Sequence, residues 1–106
     1  MQTNRIFIID PYRKKVFEKH INISQLSNEI SSLLNSSLFS YIPIDNEIQL
    51  IYDDTLLTNP PTNLPYFLFG EWEIPGIGIL VGSGDNNFFS AEIDLNKLRR
   101  EVWFFE

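Results

Sequence analysis

Hydrophobic side chains recur along this chain with two different periods. In Arg5–Asp10 (Arg-Ile-Phe-Ile-Ile-Asp) both alternating sets are apolar, Ile6 with Ile8 and Phe7 with Ile9. A strand that is apolar on both sides belongs in the middle of a sheet. Pro11-Tyr12 reads as a turn, and the weak alternation around Val16 and Phe17 over 13–20 reads as the return arm of a hairpin near a sheet edge. At 23–34 the period changes: Ile23, Leu26, Ile30, Leu33 and Leu34 fall on one stripe of a helix, with Asn22 and Gln25 in capping-box positions.

Two strands are expected next: over 38–44 Leu38, Ser40, Ile42 and Ile44 alternate with Phe39, Tyr41 and Pro43, and over 47–52 Ile48, Leu50 and Tyr52 share one face, joined by the turn signal Asp45-Asn46. Residues 53–65, rich in Pro, Asn and Thr, read as an irregular loop. Short strands follow at 66–69 and 77–82, linked by Gly70–Gly76, and a third at 88–93 after the polar turn 83–87. Asp94 is a good N-cap, and Leu95, Leu98, Val102 and Phe105 make the stripe of a closing helix over 94–105, with Trp103 and Phe104 to its side. The expected fold is a single α+β domain over 1–106. Two layers are expected, a mostly antiparallel sheet of about six strands carrying two helices on one side.

Length and composition agree with one domain: 106 residues, 43% hydrophobic and 14% aromatic. There is no cysteine, which removes disulfides and thiolate chemistry. No apolar run reaches the roughly 18 residues of a membrane span, and the N-terminus lacks the order of a signal peptide, so no membrane association and a cytoplasmic location are expected. The net charge is −6, unevenly spread: residues 21–96 hold ten acids and no Lys or Arg. Such a stretch cannot track a nucleic-acid backbone, so direct nucleic-acid binding is not expected. The bases sit at the two ends of the chain. Arg13, Lys14 and Lys15 form a cluster that is either a solvated strand edge or a contact for a phosphate-bearing ligand or an acidic partner.

Candidate chemistry is sparse. His20 is the sole histidine and has no second metal ligand at a local spacing. Gly76-Ile77-Gly78 and Gly82-Ser83-Gly84 lack the lysine and the following helix of a phosphate loop, and Asp53-Asp54 and Asp85-Asn86-Asn87 lack the order of a calcium loop. Neither catalytic residues nor a cofactor is expected. The segment around Tyr66, Phe67, Phe69 and Trp72 interleaves aromatics with Glu71 and Glu73. It is either core with its acids in water or a pocket for a planar, donor-rich ligand such as a nucleobase. Trp103 and Phe104 are either core or a homodimer contact.

Several segments carry a likeness to known proteins. These are Arg5-Ile6-Phe7-Ile8-Ile9-Asp10-Pro11, Ile51-Tyr52-Asp53-Asp54-Thr55-Leu56-Leu57, Tyr66-Phe67-Leu68-Phe69-Gly70, Gly76-Ile77-Gly78-Ile79-Leu80-Val81-Gly82 and Asp94-Leu95-Asn96-Lys97-Leu98-Arg99. In this order they resemble a family of small proteins of unknown function encoded by phages, plasmids and other mobile elements. The resemblance implies an accessory product acting inside a bacterial cell and transfers no catalytic residues. The expected function is non-enzymatic: binding and inhibiting a host protein, such as a defence factor. The alternative is a binder or sponge for a nucleotide-type ligand, using residues 66–72 and the bases at 13–19. A hydrolase built on His20 and a distant acid is the third reading.

Overall fold

The strand that reads as apolar on both sides is buried on both sides in the computed structural model, which describes residues 3–22, 24, 26–36, 38–44, 48–58, 64–84, 87–89 and 94–105. The elements in chain order are β1 (Thr3–Asp10), β2 (Lys15–Asn22), α1 (Leu26–Leu34), β3 (Phe39–Pro43), β4 (Ile48–Asp53), α2 (Asp54–Thr58), β5 (Tyr66–Phe69), β6 (Trp72–Pro75), β7 (Gly78–Gly84), β8 (Asn87–Phe89), α3 (Leu95–Glu101) and β9 (Val102–Phe105). The class is α+β, and every strand pair is antiparallel.

The strands form two sheets. The large one runs β2-β1-β7-β4-β3, with β8 also paired to β7, and the small one runs β6-β5-β9. Ile6, Ile8, Ile51, Ile79 and Val81 face Ile30 and Leu34 of α1 on one side of the large sheet. Phe7, Ile9, Leu50 and Leu80 on the other side meet Phe67, Phe69, Ile74 and Val102 of the small sheet and Leu98 of α3. The layering therefore differs from the expected two layers. Both faces of the large sheet are apolar, so a helix on one face leaves the other uncovered; a second sheet and α3 close it. The two longer helices lie on opposite faces, not on one.

Two approaches explain the fit between the sheets. Gly78 of β7 lies against the ring of Phe67: a Cβ there would stand 2.5 Å from Phe67 Cζ and 3.1 Å from Leu50 Cδ1. The missing side chain lets the small sheet sit down on β7. At the other end of β5, Phe69 pairs with Trp72 across the two-residue loop Gly70-Glu71. Gly70 has φ +61 and Glu71 a negative φ, the pattern of a hairpin turn with glycine first.

Local chemistry sets the helix ends. Asp94 caps α3 by accepting from the Asn96 N–H at 2.9 Å. Asp53 does the same for α2, accepting from the Thr55 N–H at 2.9 Å and from the Thr55 hydroxyl at 2.6 Å. α1 closes with Asn35 at φ +55, the Ser36 N–H on Ser31 O and the Asn35 N–H on Ser32 O, a Schellman arrangement. Of the capping box expected at Asn22, the Asn22 side is seen: its Oδ1 accepts from the N–H and hydroxyl of Ser24, while Gln25 lies outside the described residues.

Three expected elements are corrected. The closing helix stops at Glu101, and Val102–Phe105 is a strand paired with β5. Val102 and Phe105 mimic a helical stripe, but Val-Trp-Phe-Phe is strand-prone and finds a partner edge waiting on β5. The loop over 53–65 contains α2, and the link Gly70–Gly76 contains β6. Ile23, Gln25, the turns at Asp45-Asn46 and Asp85-Asn86, residues 59–63 and the end of the strand expected over 88–93 lie outside the described residues. Among the described residues, no helix is long and apolar enough to cross a membrane.

Candidate functional site

Alternation along the small sheet divides its aromatics between two faces. Phe67 and Phe69 point inward and are buried, as the core reading of that segment expects. Tyr66 and Leu68 occupy the outward positions of β5. Across the ladder, Leu68 lies between Glu73 of β6 and Trp103 of β9, and Tyr66 lies between Pro75 and Phe105. The result is two cross-strand rows on one outward face. Trp103 is 64% exposed and Phe105 38%. The rings of Tyr66 and Phe105 stack, with centroids 5.1 Å apart and planes 13° from parallel. Aromatic cross-strand pairs of this kind stiffen a sheet face. Glu73 is exposed, ends the Leu68 row on β6 and is the one charged side chain in the two rows.

The other expected residues of this segment sit elsewhere. Trp72 pairs with Phe69 on the inward register but lies at the strand end, 37% exposed. Glu71 is in the hairpin turn and exposed. Trp103 and Phe104, expected side by side on a helix flank, are on opposite faces of β9, because successive strand residues alternate. Phe104 points toward the interior with Phe67.

Phe104 also reaches a second feature. A groove of about 540 Å³ is lined by Lys14, Lys15, Val16, Phe17, Arg99 and Phe104. It lies where β2, an edge of the large sheet, meets α3 and β9, an edge of the small sheet. Lys14 adopts φ +55, in the left-handed region, which costs an ordinary residue roughly 1–2 kcal/mol. The turn before it is tied by Asp10, whose Oδ1 accepts from the N–H of Tyr12 at 3.0 Å and of Arg13 at 3.3 Å. Arg13 is largely exposed, with Nε 3.9 Å from Asp10 Oδ2, and is not part of the groove lining. Arg99 donates from Nε to the carbonyl oxygen of Val16 at 3.1 Å. The basic cluster and the aromatic segment 66–72 thus do not form one site. Lys14 and Lys15 meet Arg99 and Phe104 instead, residues more than 80 positions away that no local spacing links to them.

His20 lies on the exposed side of β2, with Nε2 3.6 Å from Glu18 Oε2. Glu18 also forms an ion pair with Arg5, whose guanidinium lies over the Phe7 ring, 4.7 Å from its centroid. The acid nearest His20 is therefore a neighbour on its own strand, shared with an arginine. Asp53, one of the oxygen-rich pair Asp53-Asp54, is buried and spent on the α2 cap. Among the described residues, no three His, Asp or Glu side chains are grouped so as to hold a metal ion.

No family model matches the chain, and the searches of curated proteins and of solved structures return no match.

Proposed function

We propose that this protein acts by docking another protein, with the outward face of the small sheet as the contact. One observation carries the reading: Tyr66, Leu68, Pro75, Trp103 and Phe105 form a continuous apolar face in two cross-strand rows, with Trp103 largely in water. Tryptophan and tyrosine are residue types enriched among the anchors of protein interfaces. Glu73 beside the patch, within the base-free stretch 21–96, favours a partner whose own apolar patch is rimmed by bases. The likeness of several segments to proteins of mobile elements favours a bacterial host protein as that partner and inhibition as the outcome. No step of the reading requires catalysis.

Affinity capture from a bacterial lysate, run with the wild type and with Trp103→Ser, tests this reading. The expected result is a specific protein held by the wild type and lost with the variant. Trp103 points outward, so the variant keeps the fold, which thermal melting verifies. Equal capture by both forms, or capture of nothing, overturns the reading. Sedimentation on the same samples covers self-association. A wild-type dimer that becomes a monomer in the variant reassigns the face to a second copy of this chain and also overturns a host partner.

A further inference from the structure

We propose that the groove between β2, α3 and β9 binds a small phosphate ester carrying a planar ring, the chemistry of a nucleotide. The site is separate from the aromatic docking face: Phe104 lines it from the inward side of β9, whereas Trp103 and Phe105 point the other way.

Charge is the first argument. The chain has 8 Lys and Arg against 14 Asp and Glu. Among the described residues that line this groove, three are bases, Lys14, Lys15 and Arg99, and none is an acid. They come from opposite ends of the chain and are assembled only by the fold. In a protein of net charge −6 an anion is repelled by most of the surface, and a concave cationic site is where it gains.

Pre-organisation is the second. The Arg99 guanidinium is held through Nε by Val16 O, which fixes its plane and leaves its terminal nitrogens to donate. A planar guanidinium and two lysines lining the same groove suit the several oxygens of a phosphate. Lys14 is held there by a turn whose backbone would suit glycine better.

Shape is the third. Phe104, half-buried on the small-sheet side, supplies ring surface on which a base can stack. The volume, about 540 Å³, lies in the range of small-molecule pockets, roughly 300–1,000 Å³. An acidic peptide added as a strand along β2 would meet the Arg99 side chain at the Val16 carbonyl, to which Arg99 Nε donates. The occupant is therefore a compact anion rather than an extended chain.

Titration calorimetry on the intact protein at physiological ionic strength tests the site. The probes are adenosine and guanosine mono- and triphosphates, the parent nucleosides and inorganic phosphate. At least one nucleotide is expected to bind, more weakly as salt is raised. The nucleosides and inorganic phosphate are expected to bind at least about tenfold more weakly. Lys14→Gly and Lys15→Ala together are expected to weaken nucleotide binding by about tenfold or more. Glycine suits the backbone at 14 and Lys15 is exposed, so both changes spare the fold, and melting curves confirm it. Absence of heat with every nucleotide overturns the proposal. So does undiminished binding by the folded double variant, or inorganic phosphate binding as tightly as the best nucleotide.

Discussion

Arg99 Nε donates to the backbone carbonyl of Val16 at 3.1 Å, joining residues 83 positions apart. Val16 lies on an edge strand, where an outward carbonyl would otherwise be open to water or to another chain. The arginine closes that acceptor and pins α3 to the large sheet. Arg99→Ala is expected to lower stability by about 1 kcal/mol, seen as a fall of roughly 5 °C in melting temperature. Arg99→Lys, which keeps the charge without the Nε donor, should recover only part of it. An unchanged melting temperature in Arg99→Ala would show that the bond contributes nothing.

The fit of the two sheets depends on Gly78 having no side chain beside Phe67. Gly78→Ala forces a methyl into the Phe67 ring and against Leu50, an overpacking expected to cost about 1–3 kcal/mol. Combining Gly78→Ala with Phe67→Leu should cost less than the two single losses added together, because the smaller side chain admits the methyl. Additive losses in urea unfolding would mean that the sheets separate instead of colliding.

How far the sequence foretold this structure depends on where each element finds its partners. β1 was legible because its apolar residues alternate on both sides, and burial on both sides is what they require. β5 was legible at both ends, and so was the Asp94 cap, whose bond is local. β9 was not. Val102 and Phe105 fit a helical stripe as well as Val102 and Phe104 fit a strand, and the choice is made by β5, more than 30 residues earlier. The groove was half legible. Lys14 and Lys15 stand out as a basic cluster, but Arg99 looks like an ordinary surface base of an amphipathic helix until the fold sets it on Val16. The second apolar face of the large sheet was visible in Phe7 and Ile9, and it was the signal for a further layer.

Tyr12 reports on the end of the molecule near the two buried carboxylates. Burial, then Asp10, then Asp53 raise its hydroxyl above the ordinary value of 10.0. The folded chain holds this proton more tightly than the unfolded chain does. The associated stability is fully present below the unfolded value and is lost as pH rises through the raised folded value. Melting temperatures of the wild type and Tyr12→Phe should therefore run parallel from neutral pH to about 10 and diverge above it, the wild type falling faster. Parallel curves throughout the alkaline range would show that the hydroxyl loses no stability on ionising.

The start of α3 rests on one carboxylate. Asp94→Ala removes the acceptor for the Asn96 N–H and is expected to cost about 1 kcal/mol, whereas Asp94→Asn keeps a capping oxygen and should cost little. Because α3 carries Leu98 into the core and Arg99 into the groove, hydrogen exchange across 95–101 should quicken in Asp94→Ala and stay slow in Asp94→Asn. Equal exchange in the two variants would place the start of the helix under tertiary control alone.

β7 lies between β1 and β4 in space but is made some 25 residues after β4 ends. The β1–β2 and β3–β4 hairpins can each zip from a nearby turn, yet neither meets the other until β7 arrives and bonds to both. During synthesis the first half of the chain is thus two ribbons not yet joined in one sheet, and the Phe7 and Ile9 face of β1, which later meets the small sheet, is still bare. Assembly of the large sheet waits for one late segment, so acquisition of the native state is governed by long-range closure rather than by the ribbons' own speed. A nascent chain halted before residue 78 should present exposed strand edges to chaperones, and release of a few more residues should convert it cooperatively into a protease-resistant body.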